Sequence, residues 1–250
     1  MTRTVRAVRA VMAVAAVAAS CHSAGGASEF DGRTAFGYLE RQMAFGPRIP
    51  GTPAHRQTGD WLLAELRARA DTVIVQEITH VTRGGETLHL RNFFARFRPA
   101  ASERVLFLAH WDTRPHADQS QNLGQQRLPV PGANDGASGV AVLLGVADVL
   151  KKRPPAVGVD LLFVDGEDYG TFADSADVLI GSRWFAAHQP AGYPPLYAVL
   201  FDMVGDKDLQ IPQEGYSLSS APEVVQLVWS TAARIGHGGV FVSSPGTALT

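Results

Sequence analysis

Between Val105 and Tyr169 the chain carries three polar clusters, and two of them follow directly on short apolar runs. Residues 105–109 lead into His110-Trp111-Asp112-Thr113-Arg114, and residues 161–164 lead into Asp165-Gly166-Glu167-Asp168-Tyr169. Apolar runs of this length read as buried strands of an α/β sheet. The third cluster, Gly132-Ala133-Asn134-Asp135-Gly136, opens an apolar helix instead. Open α/β sheets bind ligands beyond the carboxyl ends of their strands, so the three clusters are expected to converge on one cleft over one sheet.

The flanking sequence supplies the rest of such a sheet. Helical spacing of apolar residues predicts helices over residues 33–45 and 54–70, the second with Trp61, Leu62 and Leu66 on its inner face and Arg56, Glu65, Arg67 and Arg69 exposed. Between them the prolines and glycines of residues 45–53 predict a rigid loop covering a sheet edge. Residues 73–81 and 86–97 read as an antiparallel hairpin turned at Arg83-Gly84-Gly85, with His80 and His89 as ordinary strand residues. Helices are expected over 140–150, 180–188 and 222–235, and strands over 197–202 and from Val240. The expected fold is a three-layer α/β architecture: a mixed, mostly parallel central sheet with an antiparallel edge hairpin and helices on both faces.

At 250 residues this is one domain, and 18% charged residues with a net charge of -2 give no basic face for nucleic acid. Arg3, Arg6 and Arg9 precede an apolar run over 10–19, too short to span a bilayer and suited to a secretory leader. Ala18-Ala19-Ser20-Cys21 follows and resembles a bacterial lipoprotein box with Ala18 where Leu is usual. The expectation is a signal peptide over 1–21, a tether over 22–29 and a domain over 30–250. The product is then exported, as a periplasmic or secreted protein or as a lipoprotein anchored to the membrane through Cys21. Cys21 is the only cysteine, so no disulfide or thiolate site is open to the domain, and any metal must take His, Asp and Glu.

Those residues are at hand. His110 and Asp112 stand two apart at a strand end, where alternate side chains turn to the same face. Asp135 lies in a glycine-flanked loop opening a helix, Asp202 ends a strand, and Glu167 and Asp168, being adjacent, point differently. A pocket of His110, Asp135, Asp168 and Asp202 offers the nitrogen and oxygen ligands that zinc accepts and leaves Glu167 as a base, a metal hydrolase pattern. Each piece alone is a common turn or solvated acid; their order and shared place at sheet ends carry the reading.

From Phe36 onward the chain resembles the zinc aminopeptidase and glutaminyl cyclase superfamily. The motifs Phe45-Gly46-Pro47-Arg48, His110-Trp111-Asp112-Thr113-Arg114-Pro115, Gly132-Ala133-Asn134-Asp135-Gly136 and Glu167-Asp168-Tyr169-Gly170 are most similar to bacterial glutaminyl-peptide cyclotransferases of the animal type. The resemblance implies that Asp135 and Asp168 bind zinc, Glu167 is the general acid and base, and Asp202 is an acidic active-site partner. In two-zinc aminopeptidases, residues like His110 and Asp202 hold a second zinc bridged by the one like Asp135, with the one like Asp112 supporting the His. One zinc is implied for a cyclase and two for an aminopeptidase, both acting on peptide N-termini, and a noncatalytic peptide-binding lipoprotein is a third reading. The family's last zinc ligand is a His beyond the strand at Val240, after an Asp-Asp-His segment. Neither is matched before Thr250, and neither His188 nor His237 is a replacement, so the chain is expected to be a C-terminally truncated member with two of three ligands for its main zinc.

Overall fold

A computed structural model describes residues 29–172, 175–190, 193 and 195–246; the leader and Cys21 lie outside the described residues. Helix α1 (Gly32–Phe45) starts where the Asp31 carboxylate accepts the N–H groups of Arg33 and Thr34, and α2 (Pro53–Arg67) starts where Thr52 caps His55 and Pro53 takes a first-turn position. The hairpin β1 (Thr72–Val81) and β2 (Thr87–Phe97) follows, then β3 (Arg104–His110), α3 (Ala137–Lys152), β4 (Gly158–Val164), α4 (Ile180–Ala187) and β5 (Ala198–Leu200). These five strands form one sheet in the order β1-β2-β4-β3-β5, parallel across β4-β3-β5 and antiparallel across β1-β2-β4. This is the expected mixed sheet with a parallel centre and an antiparallel edge hairpin.

Strands β3 and β4 have few solvent-facing positions because both sheet faces are covered. On one face Leu62 and Leu66 of α2 and Val140, Leu143 and Leu144 of α3 pack against Phe93, Ala109, Leu161 and Phe163. On the other, Phe185 of α4 and Tyr193 pack against Phe94, Leu106, Leu162 and Val164. Alternation along β2 and β4 thus feeds two cores, giving the three layers. A separate parallel pair, β6 (Ile211–Gln213) with β7 (Phe241–Pro245), sits with the short helix α5 (Gly215–Ser220) and α6 (Pro222–Arg234). Neither β6 nor α5 was expected, since three and six residues are too short to show a period.

Three local expectations are corrected. The strand placed over 197–202 is only Ala198–Leu200, because Met203 adopts a positive φ of 50° and bends the chain away just past Asp202. Arg69 is not an exposed helix residue: its guanidinium bonds the carboxylates of Asp148 and Glu65 and the Tyr38 hydroxyl. The loop over 45–53 reaches into the interior instead of only covering an edge as expected. It sends Arg48, with no exposed surface, beneath the polar clusters, where Nε donates to the Trp111 carbonyl at 3.0 Å and the two terminal nitrogens to those of Pro131 and Gly132 at 3.3 and 2.6 Å.

Candidate active site

The parallel strands β3 and β4 finish at the same edge of the sheet, and the polar clusters meet there. His110, the last residue of β3, is buried, with Nε2 2.9 Å from Asp135 Oδ1 and 3.5 Å from Asp202 Oδ1, and Nδ1 3.5 Å from Asp112 Oδ1. None of these contacts has hydrogen-bond geometry: both ring nitrogens and Asp202 Oδ1 are buried without a hydrogen-bond partner among the described residues. One donor atom each from His110, Glu167 and Asp202 lie within 4.8 Å of one another. Nitrogen and carboxylate donors that converge without hydrogen-bonding one another are arranged as for a divalent cation, and the donor set suits zinc.

Close backbone packing makes the convergence possible. Gly136, at φ 89°, lets the start of α3 pass the Asp112 carbonyl, where a Cβ would stand 2.7 Å from that oxygen. The Asn134 side chain accepts the N–H of Gly205 at 2.7 Å and Ser138 Oγ that of Val204 at 3.0 Å, tying the Asp202 loop to the Asp135 loop. Arg48 anchors the same loop from below through the Pro131 and Gly132 carbonyls.

Asp112 has a wider part than support of His110. Its carboxylate, fully buried, accepts the backbone N–H groups of Glu167 and Asp168, each at 3.0 Å, so the end of β3 holds the turn after β4. Burial alone would raise its pKa, but His110 and these two N–H groups hold it below the usual carboxylate range. For His110, burial disfavours the charged ring, yet Asp112, Asp135 and Asp202 outweigh it and hold its pKa well above the ordinary value. Burial, helped by the charges of Asp112, Asp202 and Asp168, pushes Glu167 up to about 7 against the pull of His110. Asp168 is pushed up to about 6 by burial and by Asp135 and Asp112.

The expected residues are therefore not all placed alike. His110, Asp135, Asp202 and Glu167 are brought together, and Asp168 lies beside them with one carboxylate oxygen on Arg114, whose guanidinium donates to it at 3.0 Å and to Asp118 at 2.7 Å. His188 stacks on Trp184 at a helix end, and His80 pairs with Asp177 at 2.7 Å, so neither joins the cluster. Arg48 was missed as a site residue. Burial drops its pKa to about 10, with Asp112 and Asp135 opposing, so it stays a cation beneath the acids at neutral pH. Its signs in the chain are the Phe45-Gly46-Pro47-Arg48 motif and a lone arginine among prolines and glycines, and neither reveals burial.

The model of the Peptidase family M28 matches residues 92–242, which hold β3, β4 and all three polar clusters. Among solved structures, glutaminyl cyclase from Porphyromonas gingivalis is 41% identical, covering 89% of this chain and 78% of that one, with a TM-score of 0.86. A Zn-dependent exopeptidase from Parabacteroides distasonis is 38% identical, with coverage of 88% and 78% and a TM-score of 0.84. The glutaminyl-peptide cyclotransferase-like protein of Bos taurus is 28% identical over 148 residues, 56% of this chain and 37% of that protein. The curated relatives are matched over 27% to 39% of their own length. With the family pattern spanning the parallel strands and their polar ends, the chain belongs to peptidase family M28, a family of enzymes.

Proposed function

We propose that this protein is a zinc-dependent glutaminyl-peptide cyclotransferase, converting the N-terminal Gln of peptides to pyroglutamate with release of ammonia. The observation that carries this is Glu167: a half-buried carboxyl whose pKa is pushed up to about 7, set among donors that fit a divalent cation. The 41% identity to the Porphyromonas gingivalis cyclase supports the same reading. Zinc, when bound, supplies a Lewis acid for the side-chain amide carbonyl of the substrate. Asp135 and Asp168, with the His110 and Asp202 side available, are the residues that would hold it.

The remaining steps belong to the chain. Excess carboxylate around His110 attracts the positively charged peptide N-terminus, which gives up one proton to solvent, and the neutral α-amine that remains is held beside Asp202. Glu167 takes a proton from the α-amine as its nitrogen bonds the side-chain amide carbon, then returns a proton to the departing nitrogen, which leaves as ammonia. A carboxyl balanced near pH 7 serves both transfers. No water is consumed, and the turn fixed by Asp112 keeps Glu167 in place between the two.

Aminopeptidase action is the second reading, favoured by the His110 nitrogen lying close to both Asp135 and Asp202, a grouping able to hold a second cation, and by the likeness to the Parabacteroides distasonis exopeptidase. In that case Glu167 activates water for attack on the first peptide bond. Incubation of the zinc-loaded protein with Gln-initiated peptides, followed by mass spectrometry, separates these. Loss of ammonia from the intact peptide supports the cyclase; a freed N-terminal residue replaces it with the peptidase. Zinc bound with every peptide unchanged replaces both with a noncatalytic peptide binder. The leader read over 1–21 supports export of the protein, and a mature N-terminus at Cys21 or His22 would favour it, whereas a retained Met1 would exclude it.

A further inference from the structure

Beneath the cluster lies a second buried histidine that touches none of the candidate ligands. His55, in the first turn of α2, is 1% exposed, and its Nε2 lies 2.8 and 3.0 Å from the two carboxylate oxygens of the fully buried Asp165. Its ring stacks on Trp111 with centroids 4.4 Å apart and planes within 12°. Trp111 stands between His110 and Asp112 at the end of β3, and Asp165 stands two residues before Glu167 at the end of β4. One side chain thus grips both strand ends that carry the site.

The grip closes into a circuit. The Asp165 carboxylate also accepts the N–H of Arg91 at 2.7 Å, and the Arg91 carbonyl accepts the Trp111 indole N–H at 3.1 Å. From His55 the path runs through Asp165, across β2 at Arg91, to Trp111 and back to His55. Asp165 is fixed further by its own N–H on Asn92 Oδ1 at 3.0 Å and by its carbonyl, which accepts from Gly181 at 2.9 Å. Immediately after it Gly166, at φ 65°, turns the chain so that Glu167 projects into the site. A shift of Asp165 or Trp111 therefore moves Glu167 or the His110–Asp112 pair, and packing alone would be served as well by an apolar residue in place of His55.

We infer that His55, through Asp165 and Trp111, is a positioning residue that sets the spacing of the two strand ends and so the fit of the cluster to a divalent cation. This rests on the metal reading above, and the test is built to tell the two apart. In the full chain, His55→Phe keeps a ring against Trp111 and removes the bond to Asp165. Cobalt(II) is the probe, read by titration calorimetry and by its visible d–d bands, with circular dichroism reporting the fold. The expected result is a folded variant whose cobalt affinity falls by roughly tenfold, as for other partners lying behind metal ligands, with altered d–d bands. Leu66→Ala, a core truncation away from the circuit, is expected to lower the melting temperature and leave affinity and bands unchanged. Should H55F fail to fold, the nearly isosteric Asp165→Asn carries the test with the same expected loss. Affinity and bands within twofold of the unaltered protein in the folded variant would overturn the inference. Absence of cobalt binding by the unaltered protein would overturn the metal reading itself, and this inference with it.

Discussion

The two ends of β3 and β4 hold buried charge in opposite ways. Where the strands begin, the Arg104 guanidinium meets Asp160 through two bonds, Nε to Oδ2 at 2.6 Å and a terminal nitrogen to Oδ1 at 2.5 Å, and Arg96 adds a third at 3.2 Å. The other Arg104 donors reach the carbonyls of Phe97, Arg98 and Ala101, so this charge is matched inside the protein. Where the strands finish, one imidazole faces three carboxylates, Glu167 lies close by, and the ring nitrogens and Asp202 Oδ1 have no hydrogen-bond partner among the described residues. A matched buried pair clamps strands together; an unmatched group is costly until a ligand completes it. The difference marks one end as structure and the other as a site.

Four measurements would break or sharpen this contrast. Glu167→Gln removes the proton carrier and is expected to lower kcat by about 10²- to 10⁴-fold with cation affinity kept; a parallel loss of cation in calorimetry would make Glu167 a ligand instead. Arg104→Met strands Asp160 without a full partner and is expected to cost about 3–5 kcal/mol in urea unfolding, with no change in cation affinity of the folded protein. If cation affinity fell with it, the two ends would not be independent. Zinc at a hundred times its dissociation constant is expected to stabilise the protein by about 2.7 kcal/mol. Arg104→Met should keep that increment and His110→Ala should lose it, as thermal melts with and without zinc will show.

The smallest effect lies at the rim of the site. Arg114 holds the pKa of the Asp118 carboxyl below its usual range, but Asp118 itself is solvent-exposed, so Asp118→Asn is expected to cost no more than about 1 kcal/mol. Because the folded-state pKa is lowered, this contribution is complete above the ordinary Asp value of about 3.9 and disappears as pH falls through the lowered value. Melts of the two proteins should therefore differ at neutral pH and coincide in acid. A persistent difference in acid would show that Asp118 acts by packing and not by charge.

Much of the arrangement was legible along the chain because its signals are local. Apolar runs ending in His110 and before Glu167 predicted buried parallel strands, and the glycine-flanked Asp135 predicted a helix start. These depend on side-chain period and turn chemistry within a few residues. The hairpin and its Arg83-Gly84-Gly85 turn were legible for the same reason. The expectation that Asp168 stands with Asp135 as a zinc ligand came from family likeness, and nothing local in the chain shows that Asp168 also accepts a bond from Arg114, 54 positions away.

The sequence by itself determined which residue types stand at the strand ends, and hence that a carboxylate-rich, histidine-bearing cleft would form over an α/β sheet. Only the tertiary structure decided what lies beneath it. Arg48, His55 and Asp165 are buried there, and Asp112 spends its carboxylate on the backbone of Glu167 and Asp168 as well as facing His110. The reason is physical: periodicity encodes which face of an element is buried, but a buried polar group takes its partner from whatever the fold brings within about 3 Å. For these residues that partner comes from sequence positions far away.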